Sequence, residues 1–324
     1  MFKLNSLQYA KAKDVKVDKT LSIQPLASNF EYEKLAREFK SKYNFQSLNT
    51  FSFTTEGFLS LMLGLDGKIA VSLGESDAIV TAAQEYVNLG FEVNFIDLHK
   101  DGSLDYESIK KSDYAFVSSY NQDTYVKNDL EKVATTSEAY IVSNVSADSE
   151  LNFVDVALFD AYKLTGFACS SLALHNSLLK EQPLAQIDTV AIALINEAVK
   201  KDAFNFTKKY EFIKALESEI KEDFFFFVDP KTTLENTLHF GLKNIKAREI
   251  IRTLSLDSIM ISNGEGCSLG LSRPSTIIQA MGYSELESRQ AISLSFSEDL
   301  NTGQIEKIAK TVGKKYRQIK ALNA

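Results

Sequence analysis

The stretch KIAVSLGESDAIVTAAQEYVNLG, residues 68–90, determines the fold class. It begins with a short apolar run, Lys68 to Leu73, that is typical of a buried strand, and Gly74 marks the turn that ends it. A helix is predicted over Glu75 to Leu89 because apolar side chains recur there at helical spacing, and Gly90 stands where a glycine commonly ends a helix. A strand that turns directly into a helix is typical of the βαβ units of α/β proteins.

Strands and helices continue to alternate along the chain after this unit. We predict five further strands, at Glu92–Ile96, Tyr114–Ser119, Tyr140–Ser143, Val154–Phe159 and Ser171–Leu174. Two short helices are predicted between them, at Leu104–Lys111 and Asp129–Thr136. Elements that alternate in this way build a mainly parallel sheet with helices on both faces, so the predicted class is α/β.

The pattern divides the chain into three parts. Residues 1–45 are a polar arm with one helix over Glu31–Tyr43, residues 46–220 form the large α/β domain, and residues 221–324 form a smaller α+β domain. In the region after residue 183 the predicted helices are Leu184–Val199, Phe204–Ile220, Ala247–Leu254, Ser275–Met281 and Thr302–Leu322. The predicted strands there are Phe224–Val228, Thr237–Leu242 and Ile292–Phe296.

The composition is typical of a soluble globular protein. The 324 residues are 44% apolar and 24% charged, and the net charge of −7 disfavours a nucleic-acid or anionic-membrane partner. No apolar run approaches the roughly 20 residues of a membrane-spanning helix, and no secretory signal is visible at the N-terminus. Because the chain has only two cysteines, it has no disulfide framework, and we expect a cytoplasmic protein.

Several common catalytic and nucleotide-binding motifs are absent. The sequence contains no GxxxxGKS/T or GxGxxG phosphate-binding loop and no GxSxG nucleophile motif. The three histidines, His99, His175 and His239, are isolated and lack the spacing of zinc ligands, so no metal site is predicted.

A lysine follows one of the predicted buried strands. The segment VDVALFDAYKLTG, residues 154–166, ends its strand at Phe159 and places Lys163 just beyond it. Ligands of open α/β sheets bind at the carboxyl ends of the strands, where a lysine in apolar surroundings can form a covalent imine with a carbonyl group. The alternative is a lysine that extends from the strand end into solvent.

A cysteine stands in a glycine-rich segment near the C-terminal end. In SNGEGCSLGLSRPS, residues 262–275, Cys267 lies between glycines in a polar stretch that is typical of an exposed loop. A thiol on such a loop can reach into a site and accept a group. The alternative is a small packing cysteine, although cysteines of that kind favour apolar strands, as Cys169 illustrates.

Together these two segments resemble the cysteine desulfurases, the NifS/IscS-like branch of the class V aminotransferases. VDVALFDAYKLTG resembles the family's VDL-x-SFSxHKxxGPKG, and the Cys267 segment, continued by TIIQAMG, resembles SSGSACSSGxxEPSxVLxAMG. FTTEGFLSLML, residues 53–63, is similar to the family's SGATESNNLAL. These segments follow one another along the chain in the family's order, and the resemblance covers nearly the whole chain.

The resemblance implies a fold-type I architecture that uses pyridoxal 5′-phosphate (PLP). A large domain would carry the mainly parallel sheet, the small domain would take both chain ends including residues 1–45, and two chains would form a homodimer. Lys163 would hold PLP, and Cys267 would take the sulfur of L-cysteine as a persulfide. The other implied cofactor positions are Thr54, Thr55, Ser76, Asn121, Asn144 and Tyr162.

The sequence departs from the family pattern in five places that the chemistry uses, one of which involves two residues. Asn144 replaces the aspartate that keeps the PLP ring nitrogen protonated, and Ser76 replaces the histidine that stacks on the ring. The glycine before Thr54 is Phe53, the serine and histidine of SxHK are Asp160 and Tyr162, and the arginine that binds the substrate carboxylate is Ser293.

Two functions therefore stay open at the level of sequence. The first is a PLP enzyme of cysteine desulfurase type, with Lys163 and Cys267 as its catalytic residues. The second is a degenerate homologue that does not use PLP and acts as a binding, scaffold or sulfur-acceptor protein, for which a sulfur-transfer protein is the expected partner. A binder of another small molecule in the same pocket is a third alternative.

Overall fold

The computed structural model describes residues 1–8, 30–147, 151–179, 187–200, 206–264 and 273–323. Up to the end of the large sheet the elements are, in chain order, β1 (Phe2–Lys3), α1 (Phe30–Lys42), β2 (Ser47–Phe51), α2 (Thr55–Gly64), β3 (Ile69–Ser72), α3 (Asp77–Asn88), β4 (Val93–Ile96), β5 (Tyr114–Phe116), α4 (Leu130–Ser137), β6 (Tyr140–Asn144), β7 (Val156–Phe159), α5 (Ala161–Thr165) and β8 (Ser171–His175). The later elements are α6 (Thr189–Ala198), α7 (Lys209–Ile220), β9 (Phe224–Phe225), β10 (Thr237–Leu242), α8 (Ala247–Ser255), β11 (Ile259–Met260), α9 (Thr276–Ala280), α10 (Glu285–Ser288), β12 (Ala291–Ser295) and α11 (Thr302–Leu322).

Seven strands form a large sheet in the order β2-β8-β7-β6-β5-β3-β4. Strands β3 to β7 pair with one another in parallel, while β8 runs antiparallel to both of its neighbours. The predicted α/β class with a mainly parallel sheet is confirmed, and β8 is the reversed strand.

The unit at residues 68–90 shows why these elements form. All four residues of β3 are buried, and the Ser76 hydroxyl begins α3 by accepting a hydrogen bond from the Ile79 amide at 3.4 Å. Ile79 and its neighbours on the apolar face of α3 pack on the sheet, and burying a side chain of that size contributes roughly 1.5–3 kcal/mol. Gly90 follows the helix at a φ of +96°, a conformation that glycine adopts without strain.

Both faces of the large sheet are covered by helices. Val71, Phe116, Val142 and Leu158 lie on one face and pack against α2 and α3. The alternate residues of the same strands face the other way, where they pack with α4, α1 and α6. Burial on both faces explains why these strands are short continuous apolar runs in the sequence.

The later elements form a second unit around a three-stranded antiparallel sheet in the order β12-β10-β9. Helices α7, α8 and α11 contribute to its apolar core. The predicted bounds of α11 agree with the structure, and its stripe of Ile305, Ile308 and Val312 is buried. The first residues of the chain lie against this unit, because β1 pairs in parallel with β11.

One predicted helix does not form. Leu104–Lys111 lies in turns, and Leu104 makes an isolated antiparallel bridge with Leu98. The Asp105 carboxylate accepts a hydrogen bond from the Glu107 amide, and the Ser108 hydroxyl donates to the Asp105 carbonyl at 2.7 Å. Such local bonds satisfy the backbone in a turn and compete with a helix.

Among the described helices, none combines the length and the apolar character needed to cross a bilayer.

Candidate active site

A cavity of about 550 Å³ lies at the carboxyl edge of the large sheet. Three helix starts line it: Thr54 caps α2, Ser76 caps α3, and Asp160 caps α5. Since α2 follows β2, α3 follows β3 and α5 follows β7, the lining comes largely from the residues that follow these three strands. This edge is where open α/β sheets bind ligands.

Lys163 lies in the lining of this cavity, as expected for a lysine just beyond β7. The Asp160 carboxylate accepts hydrogen bonds from the backbone amides of Tyr162 and Lys163 at 2.9 and 3.3 Å, which fixes the first turn of α5. The helix ends at Gly166, whose φ is +77°. The short, capped helix therefore sets the position of Lys163 at the cavity.

Gln122 is the side chain that meets the Lys163 ammonium group. Its Oε1 accepts a hydrogen bond from Lys163 Nζ, and its backbone amide donates to the Gly74 carbonyl at 3.0 Å. Gln122 is 1% exposed, and its Nε2 has no hydrogen-bond partner among the described residues. Gln122 was not predicted from the sequence as a site residue, although it lies next to Asn121, which was.

Asn144 ends β6 and is 1% exposed. Its Oδ1 accepts hydrogen bonds from the amide and the hydroxyl of Ser146, at 3.1 and 2.6 Å. Its backbone amide donates to the Ser118 hydroxyl at 3.2 Å. The Nδ2 group of Asn144 is buried, and no side chain or backbone group in the described part of the chain accepts a hydrogen bond from it.

A buried carboxylate lies close to Asn144. Glu75 is 2% exposed and accepts hydrogen bonds from both the backbone amide and the hydroxyl of Ser118, the latter at 2.8 Å. Ser118 thus joins the Glu75 carboxylate to the backbone of Asn144. Glu75 was predicted only as the first residue of a helix, and its position directly after the β3 turn is the signal that could have identified it.

The other residues selected from the sequence fall in two groups. Thr54, Ser76 and Tyr162 line the cavity, and Thr55 is the first residue of α2. Asn121 is fully buried, where its Nδ2 donates to the Gly102 carbonyl and its Oδ1 accepts from Asn128, so both ends of this amide are engaged within the protein.

Of the two cysteines, the structure describes Cys169. Cys267 lies outside the described residues. Cys169 lies in the loop between α5 and β8, not in an apolar strand, and lines the cavity. Burial, together with the charges of Asp188 and Asp160, raises the pKa of the Cys169 thiol to about 11. This thiol is therefore protonated, and unreactive, at neutral pH.

Ser293 occupies the position at which the resemblance implies an arginine for the substrate carboxylate. It is fully buried, and its hydroxyl donates to the Asp123 carbonyl at 2.9 Å. The His239 Nδ1 atom lies 3.1 Å from the same hydroxyl. Burial lowers the pKa of His239 to about 3, so the imidazole is neutral at physiological pH.

Ser293→Arg is expected to destabilise the protein by about 3–5 kcal/mol, because a guanidinium group would be buried where serine and a neutral histidine now pack. Ser293→Ala is the control, with an expected loss of about 1–2 kcal/mol from its hydrogen bonds. The measurement is the free energy of unfolding in urea. An arginine variant as stable as the wild type would show that this position opens to a cavity.

The comparisons with known proteins agree on one fold. No family model matches the chain. The chain is 20% identical to the cysteine desulfurase IscS of Buchnera aphidicola subsp. Schizaphis graminum (strain Sg) over 296 residues, which are 79% of this chain and 71% of that protein.

Solved structures extend the likeness to nearly the whole chain. The NifS-like protein from Rickettsia africae ESF-5 matches with a TM-score of 0.75 and 16% identity, covering 98% of this chain and 99% of that one. SspA, solved in complex with cysteine, matches with a TM-score of 0.67 and 14% identity, covering 91% of this chain and 99% of its own. The chain therefore has the fold of the NifS-like cysteine desulfurases, as the resemblance in its sequence implies.

Proposed function

We propose that the chain is a cysteine desulfurase-like enzyme that binds PLP through Lys163 and passes the sulfur of L-cysteine to Cys267. The observation that carries this proposal is the position of Lys163, in a cavity at the carboxyl edge of the sheet between the starts of α2 and α3. The similarity to IscS and the cysteine complex of SspA support the choice of substrate.

The residues of the cavity fit PLP. The starts of α2 and α3 present backbone amides and the positive ends of the helix dipoles, which suit a phosphate, while the Gly57 and Ile79 amides are already capped by Thr54 and Ser76. Two acids, Asp77 and Asp160, also line the cavity, but both accept hydrogen bonds from the protein. Asp77 accepts from the Thr276 hydroxyl at 2.7 Å, and Asp160 caps α5. These bonds direct both carboxylates to protein donors, which lessens their repulsion of a phosphate.

The chemistry that PLP supplies when bound is an electron-accepting ring, which makes the bond between carbon and sulfur of the substrate breakable. The ammonium group of Lys163, held by Gln122, can give up and take back a proton at the substrate carbon. The Cys267 thiolate attacks the substrate sulfur. The electron pair of the C–S bond stays on the carbon, and that carbon then takes a proton. L-Cysteine and a thiol thus become L-alanine and a persulfide, with every atom accounted for.

We also propose a cytoplasmic homodimer. Tyr162, which lines the cavity, and Phe167 are each 38% exposed, and Ile187 is 47% exposed. Exposed apolar side chains of this size are suited to contact with a second copy of the chain. Sedimentation velocity of the purified protein tests this, and a monomer at high concentration would contradict it.

A second candidate is a protein of the same fold that has lost desulfuration and serves as a scaffold or sulfur acceptor. Ser293 favours this candidate, because its hydroxyl donates to the Asp123 carbonyl. Among the described residues that line the cavity, Lys163 is the only cationic side chain, so no other cation replaces the arginine that the resemblance implies. The carboxylate of L-cysteine would then lack its bidentate anchor.

The test is incubation of the purified protein with PLP and L-cysteine. The proposal predicts equal amounts of alanine and of persulfide on Cys267 in the first turnover, and no persulfide in Cys267→Ser. Cys169→Ser is the matched control. This variant should form persulfide on Cys267 like the wild type, because the Cys169 thiol that it removes is protonated at neutral pH. Bound PLP without alanine would favour the second candidate.

A further inference from the structure

We propose that Asp123 is a positioning residue, whose carboxylate holds both ends of residues 265–272, the part of the chain that carries Cys267, close to Lys163. The inference rests on the proposed function, since it concerns the transfer of sulfur to Cys267. It goes beyond that function because it assigns the contact that brings the two reacting parts of the chain together.

Asp123 belongs to the same tight turn as the residue that meets Lys163. The acid is 3% exposed, and the turn is closed by a hydrogen bond from the Tyr125 amide to the Asn121 carbonyl at 2.9 Å. Gln122, which accepts the hydrogen bond from Lys163 Nζ, is the residue directly before Asp123. Since consecutive Cα atoms are only about 3.8 Å apart, a group held on the Asp123 carboxylate is also close to Lys163.

The backbone on the N-terminal side of residues 265–272 packs directly on the Asp123 carboxylate. Gly264 has a φ of +94°, and a methyl group added to its Cα would overlap the carboxylate. The backbone approaches the acid this closely because glycine has no side chain. Cys267 is the third residue after Gly264, so the chain keeps the Cα atoms of these two residues within roughly 11 Å of each other.

The C-terminal side is held by the same carboxylate. Ser275 Oγ donates a buried hydrogen bond to Asp123 Oδ2 at 2.6 Å, and a bond to a charged acceptor is roughly twice as strong as a neutral one. The two sides also contact each other, because Asn263 Nδ2 donates to the Arg273 carbonyl at 3.4 Å. One side chain therefore fixes the points at which residues 265–272 begin and end.

Strand β12 holds the backbone of Asp123 from the second unit. The Ser293 hydroxyl donates to the Asp123 carbonyl at 2.9 Å, and the Ser293 amide donates to the Ser262 carbonyl at 2.9 Å. Asp123 is therefore held at its backbone as well as at its side chain. Because Gln122 joins this turn to Lys163 in the large unit, Asp123 sets the distance between Lys163 and the residues that flank 265–272.

The test compares two glycines that share a left-handed backbone. Gly264→Ala places a methyl group against the Asp123 carboxylate, whereas Gly90→Ala, at a φ of +96°, meets no described atom within 4 Å. Both variants incur similar backbone strain, so only Gly264→Ala tests the contact with Asp123. Persulfide formation in the first turnover should slow at least about tenfold in Gly264→Ala, because a misplacement of about 1 Å can cost about 100-fold. Gly90→Ala should keep the wild-type rate.

PLP affinity separates a positioning role from a general loss of structure. It should stay at the wild-type value in Gly264→Ala, since α5 sets the position of Lys163 through the Asp160 cap. An unchanged rate of persulfide formation in Gly264→Ala would overturn the inference. A parallel loss of PLP affinity would overturn it as well, because the substitution would then distort the cavity itself.

A second measurement needs no cofactor. A short cross-linker that joins an amine to a thiol is applied in a Cys169→Ser background, where Cys267 is the one remaining thiol of the chain. The peptide that joins Lys163 to Cys267 should form in this background and should decrease several-fold in Gly264→Ala, but not in Gly90→Ala. Absence of this peptide from the background protein would overturn the inference. Failure of the protein to bind PLP would overturn the proposed function and leave this measurement valid.

A double variant tests whether the effect passes through the acid. Asp123→Ala alone should lower the cross-linking yield, because Ser275 loses its acceptor. Gly264→Ala in the Asp123→Ala background should cause no further loss, since the carboxylate that the methyl group would overlap is gone. Losses that add in the double variant would show that the two residues act independently and would overturn the inference.

Discussion

Lys163→Arg is expected to abolish the absorbance band of lysine-bound PLP. Arginine keeps the positive charge and a donor for Gln122, but its guanidinium group stays protonated and cannot form an imine with the cofactor aldehyde. Because the covalent attachment is lost, PLP affinity should fall at least about tenfold, which corresponds to about 1.4 kcal/mol. The measurements are a spectroscopic titration with PLP, then borohydride reduction and peptide mapping.

Lys132→Arg is the matched control for this experiment. Lys132 lies on α4, where its ammonium group lies 3.9 Å from the centre of the Tyr106 ring, and it does not line the PLP cavity. The control should show the wild-type band and a reduced cofactor on the peptide that contains Lys163. Trapping on any other lysine, or an unchanged band in Lys163→Arg, would contradict the assignment of Lys163.

The sequence predicted most of the large sheet because its strands are buried on both faces and its helices are amphipathic. It did not predict α2, whose exposed face carries the polar Glu56 and Ser60 but ends at Leu63, which is apolar and 49% exposed. An exposed face that mixes polar and apolar residues gives only a weak helical period over ten residues. The helix predicted at residues 104–111 was wrong because local side-chain bonds hold turns there.

The sequence placed part of the candidate site as well. Thr54, Ser76 and Lys163 lie at one cavity because each stands at or just after a helix start at the carboxyl edge of the sheet, a location that a strand–helix pattern indicates. The contact between Lys163 and Gln122 joins residues 41 positions apart, and no spacing reveals it. The free end of the Asn144 amide likewise depends on the turn to Ser146, which only coordinates show.

Cys267 is expected to react with iodoacetamide roughly 20-fold faster than Cys169 at pH 7.5. A thiol with a pKa of about 11 is ionised in roughly one molecule in 3,000 at this pH, and an ordinary exposed thiol in about one in ten. The thiolate is the reacting species, and the higher intrinsic reactivity of the more basic thiolate offsets part of that difference. The measurement is the rate of alkylation at each cysteine, followed by peptide mass spectrometry.

The dependence of the Cys169 rate on pH separates its ionisation from simple burial. Because the pKa of Cys169 is raised, its thiolate fraction increases about tenfold per pH unit between pH 7 and 10, and its alkylation rate should follow. Burial is the main cause of the raised pKa, and the charges of Asp188 and Asp160 add to it. Asp188→Asn keeps a side chain that can cap α6 but removes one of these charges, so it should speed the alkylation of Cys169 modestly and leave Cys267 unchanged. A Cys169 rate that is independent of pH would mean that access limits the reaction. Equal rates at the two cysteines would remove the basis for assigning Cys267, and not Cys169, as the sulfur acceptor.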